Sequence, residues 1–146
     1  MPTHAPREPS RHELPAQMPQ DKSAALGCRL SIACALLELL TLNLDSEMEK
    51  GATGSDDVMG VLQHVDLLLH ELHRDIGEIV GVLPDDLRWR TFEAKTIVSL
   101  AQRMTFDDGW SARGYDATML IWCFDAAKEA LQRAQKALDT LERRNG

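Results

Sequence analysis

Aromatic residues are scarce in this chain: three Phe, three Trp and one Tyr among 146 residues. Leu, Val, Ile and Ala must therefore fill most of any core. Cysteine is scarce too. Cys28, Cys34 and Cys123 show no CxxC spacing, and Cys28 and Cys34, six apart, point to different sides of a helix. That excludes a disulfide framework and a cysteine zinc site, and it suits a reducing, cytoplasmic setting. Proline is missing from the body of the chain, because five of the six prolines precede residue 21 and the sixth is Pro84. Positive charge is also short. Lys and Arg number 16 against 23 Asp and Glu, a formal charge of −7, which repels phosphate backbones and anionic lipid. Neither nucleic acid nor a membrane is an expected partner.

Other absences narrow the chemistry. There is no phosphate loop, dinucleotide fingerprint or nucleophile elbow, and no Ser, Cys or Lys is set up as a nucleophile. The N-terminus lacks the basic, apolar and small-residue order of a secretory leader. No segment alternates apolar and polar residues as a half-buried strand does. The expectation is a non-enzymatic, all-helical protein that needs no cofactor.

What is present is heptad rhythm. Ala24–Leu44 carries one seam at Leu26, Leu30, Ala33, Leu37, Leu40 and Leu44. A second, shifted by two residues, runs through Cys28, Ile32, Ala35, Leu39 and Leu42. At about 100° per residue the two seams lie roughly 200° apart. A helix that is apolar on two sides must be covered from two sides. The run approaches the length of a membrane span, but Arg29 and Glu38 interrupt it, each costing about 2.5–3.5 kcal/mol at a bilayer centre.

The reading is an antiparallel four-helix bundle, residues 22–146, with helices at about 23–48, 56–83, 86–104 and 115–143. A Pro-rich N-terminal tail, residues 1–21, precedes it as a flexible or extended arm. The second helix has the seam Val58, Leu62, Val65, Leu69, Leu72, Ile76, Ile79, Leu83, with Val61, Leu68 and Val82 beside it. Pro84 then stops it. The third has a small-residue stripe, Leu87, Thr91, Ala94, Val98 and Ala101, and a loop is expected over Thr105–Arg113. The fourth has Ala117, Leu120, Phe124, Ala127, Leu131, Ala134, Leu138 and Leu141. Gly77 and Gly81 fall on the outer face of the second helix, where two small residues permit a close crossing.

Three groups of residues invite chemistry. Asp66, His70 and His73 stand at i, i+4 and i+7, one face of a helix, where they can ligate a divalent metal. Yet His70-Glu71-Leu72-His73 is one residue short of the zinc-protease motif, and the Glu-x-x-His of di-iron bundles is absent. A polar helix flank explains the run equally well. Glu38, isolated among leucines, has Glu93 and Asp125 as potential companions in a bundle interior, but a polar strip on which it meets solvent or a cation accounts for it more simply. Arg88-Trp89-Arg90 suits a protein contact, Trp and Arg being hot-spot types, or ion pairing within the chain.

The functional expectation is a self-associating protein–protein interaction module, a homodimer that also binds another protein. The interface is expected at Cys28, Ile32, Ala35, Leu36, Leu39 and Leu42, with Trp89 and Trp122 as anchors. The first seam has partners in the second and fourth helices. The second has only the third helix, or the wide face at Met119–Ala126, to meet it. A first alternative is an acidic neutraliser of a basic partner, in the manner of antitoxins, immunity proteins or anti-defence proteins. Its contact would be the corner formed by Asp45, Glu47, Glu49, Asp56 and Asp57. A second alternative is a metal-dependent bundle enzyme using Asp66, His70 and His73.

Overall fold

The computed structural model describes residues 18–49, 56–79, 81, 83–108 and 117–145. It contains four helices, α1 (Gln20–Glu49), α2 (Asp56–Gly77), α3 (Asp85–Asp108) and α4 (Ala117–Asn145), and no strand among those residues. The N-terminal arm up to residue 17 and the turn at 50–55 lie outside the described residues, as does Val82.

Each helix packs on its two chain neighbours, with α4 closing the ring against α1. The diagonal pairs, α1 with α3 and α2 with α4, do not approach one another. Side-chain contacts fix the direction of α4 on α1: Ser23 meets Glu142, Ser31 meets Gln135, and Glu38 meets Lys128. As one number rises the other falls, so the two helices run antiparallel.

The four heptad seams are the core. Leu26, Leu30, Ala33, Leu37, Leu40 and Leu44 of α1 are buried, as are the seam residues Val58 to Leu83 that begin on α2, the α3 stripe, and the α4 seam residues from Leu120 to Leu141. Among the described residues, Phe124 is the one aromatic side chain that is fully buried. Thr91 is buried as well. Its hydroxyl donates to the Leu87 carbonyl at 2.7 Å, so no polar group is stranded there.

Three helix boundaries differ usefully from the sequence expectation. α1 begins at Gln20, so the last two residues assigned to the arm are helical. α2 ends at Gly77 rather than near residue 83. There the ladder tightens: Glu78 N–H is shared between the Arg74 and Asp75 carbonyls, and Ile79 N–H donates to Ile76 at 3.2 Å. Gly81 then takes φ 114°, which a side chain resists. The glycine pair is therefore a stop signal rather than a crossing point. The period misled because Ile79 and Leu83 stay buried after the helix has ended. α3 continues to Asp108, carrying helix into the first four residues of the expected loop, whose remainder lies outside the described residues.

Candidate functional site: an uncovered apolar face on α1

The first and second seams of α1 have opposite fates. The first is buried, whereas Ile32 is 44% exposed, Leu39 54% and Leu42 58%, with Cys28 and Ala35 exposed between them. Neither candidate cover reaches this face. α3 is diagonal to α1, and the start of α4 leaves Met119 and Trp122 exposed on its own outer side. A row of Leu and Ile side chains in water forgoes about 1.5–3 kcal/mol per residue relative to burial.

Polar contacts bound the row on the α4 side. Gln135 Nε2 donates to Ser31 Oγ at 2.8 Å, and the Cys34 thiol approaches Gln135 Oε1 at 3.9 Å. Lys128 donates to Glu38, which holds the ammonium pKa above its usual value. Lone Glu38 thus has its cation. Asp125 also acts on Lys128, while Glu93 pairs instead with Arg90 on α3, so the three acids do not share a site. Burial raises the Cys34 and Cys123 thiol pKa values, which keeps both protonated near neutrality.

On the α2 side the boundary is apolar. Arg29 donates to Asp75, and that bond draws the Asp75 carboxyl below its usual range. Seven residues on from Arg29 stands Leu36. Seven and fourteen residues before Asp75 stand Leu68 and Val61. All three are partly buried against the core, so the apolar row continues onto the flank of α2, where Leu67 adds a 59% exposed side chain. Leu67 escaped the sequence reading because it follows no seam.

The two tryptophans do not join this face. Trp122 is 68% exposed on α4. Trp89, on α3, stacks on Phe92 with ring centroids 5.6 Å apart, and Lys95 Nζ lies 4.9 Å over the same Phe92 ring. Arg90 answers Asp86 at 3.4 Å and Glu93 at 2.7 Å, so the Arg-Trp-Arg run is tied partly into ion pairs within α3. Leu83, Asp85, Asp86, Arg88 and Trp89 line an open hollow at the start of that helix.

The proposed metal face separates in the structure. His70 Nδ1 sits 2.8 Å from the Asp66 carbonyl and 3.3 Å from its carboxylate. His73 turns toward α3, its ring 5.5 Å from Phe92. No group of three metal-capable side chains occurs among the described residues.

The expected acidic corner, Asp45, Glu47, Glu49, Asp56 and Asp57, falls at the end of α1 and the start of α2, and the side chains of these residues lie outside the described ones. The last turns of α1 and α3 hold no basic residue. Comparison of the chain with protein-family models, curated proteins and solved structures returned no match.

Proposed function

We propose that this chain is a helical protein–protein interaction module that self-associates through the outward face of α1. One observation carries the reading: a second heptad row, Cys28 to Leu42, stands in solvent on a helix whose other side is already the core. The first row accounts for folding, and the second has no intramolecular duty. The stretch Gln20–Leu44 is also apolar and long enough to cross a membrane. Its Arg29 and Glu38 are engaged with Asp75 and Lys128, and its first seam is committed to the bundle, which favours a protein partner over lipid.

Light scattering of the native chain, read across micromolar concentrations after gel filtration, tests the reading. The expected result is twice the 16.3 kDa chain mass. A monomer throughout, or a monomer that floats with lipid vesicles, overturns it.

The formal charge of −7 supports a second reading, docking of a basic protein partner. Such binding weakens as salt rises.

A further inference from the structure

We infer that the boundary between α2 and α3 binds a phosphate group carried on a planar ring, held by Arg88, Lys95 and His73 beside Trp89. Arg88, Phe92 and Lys95 stand at i, i+4 and i+7, one face of α3. His73 of α2 meets that face with its ring 5.5 Å from Phe92, and Lys95 Nζ lies 4.9 Å from the same Phe92 ring. Burial lowers the His73 pKa, and so do Lys95, His70 and Arg88, with no carboxylate offsetting them. Asp66 serves His70 instead, at 3.3 Å. Asp86 and Glu93 both pair with Arg90. Asp85 lies one helical turn before Arg88 and lines the same hollow, yet no ion pair joins the two. Among the described residues neither Arg88 nor Lys95 has an ion pair at all. In a chain with 23 Asp and Glu against 16 Lys and Arg, acids to neutralise this gathering were plentiful. Its cations repel one another until an anion sits among them.

The donors suit a phosphate better than a carboxylate. His73 Nδ1 is buried with no hydrogen-bond partner among the described residues, so a proton there would be stranded. The neutral ring therefore carries its proton on Nε2, which becomes its donor for a ligand. Guanidinium, ammonium and imidazole N–H together match the three outer oxygens and the double charge of a phosphate monoester. Arg88 and Lys95 are seven residues apart, about 10 Å along the helix, a span that their two long side chains close over Phe92. The ring follows from Trp89. Its indole is exposed, stacks on Phe92 at 5.6 Å, and lines the hollow together with Arg88. A flat group attached to the phosphate gains aromatic contact there. The net negative charge of the chain does not forbid the site, because acids more than about 8 Å away are largely screened at physiological salt.

Phenyl phosphate, inorganic phosphate and phenol, each titrated into the full chain at fixed ionic strength, test the site through its imidazole and indole NMR signals. With phenyl phosphate the His73 and Trp89 signals should move together and saturate, while His64 stays still. The His73 pKa should rise in the complex, because the phosphate favours the protonated ring. Inorganic phosphate should move His73 but bind about tenfold more weakly, for want of the ring contact. Phenol should move neither signal. Arg88→Gln and Lys95→Glu should each weaken phenyl phosphate about tenfold or more, with the helical circular dichroism unchanged. Shifts that never saturate, or an affinity unchanged in both variants, overturn the site. Inorganic phosphate binding as tightly as phenyl phosphate overturns the ring, and phenol moving the same signals overturns the anion.

Discussion

Gly27 lies two turns into α1, and a Cβ built there meets Leu138 Cδ2 at 3.6 Å, an ordinary contact; Gly60, in α2, faces open space. Neither glycine is required by the backbone, so Gly27→Ala and Gly60→Ala should each raise stability by about 0.5–1 kcal/mol, seen as a later denaturant midpoint. Gly81 is the opposite case. Its φ of 114° makes Gly81→Ala a destabilising change of about 1–3 kcal/mol. His73 supplies a pH dependence. Burial lowers its pKa, and Lys95, His70 and Arg88 lower it further. As pH falls below the ordinary value near 6.5, the unfolded chain therefore takes up the proton first, and stability drops until the folded pKa is passed. Denaturant midpoints at pH 7.5 and 5.5 should differ more for the native chain than for His73→Phe. Equal differences would show that another group governs the window.

At the scale of the element, Leu37 and Leu39 make the sharpest comparison, two residues apart on α1. Leu37 is fully buried and Leu39 is more than half exposed. Leu37→Asp places an unpaired charge in the core and should abolish the helical circular dichroism signal at room temperature. Leu39→Asp should leave that signal in place. The core seams were legible in the sequence because burial recurs every third or fourth residue, and apart from the outward second seam of α1 each seam residue whose burial is described is buried. The end of α2 was not legible, since Ile79 and Leu83 are buried whether or not the backbone is helical there. Nor were Arg29–Asp75 and Glu38–Lys128. Such pairs depend on the register between helices, and periodicity within one helix carries no information about it. The same limit hid the separation of His73 from His70, because only the packing of α3 shows that the imidazole turns toward Phe92.

For the whole molecule, the order of helices around the bundle decides what the second seam can do. Because α3 sits diagonally from α1, the chain has no element left to cover Ile32, Leu39 and Leu42. The sequence showed that a second apolar row existed; only the ring of neighbours showed that it stays in solvent. The central claim is that this row is an intersubunit surface rather than a spare core. Sedimentation equilibrium of the native chain beside Leu39→Asp, both at the same micromolar concentration, tests it most directly. The account predicts a dimer for the native chain and a folded 16.3 kDa monomer for the variant. A native monomer, or a variant whose mass matches a native dimer, would contradict it.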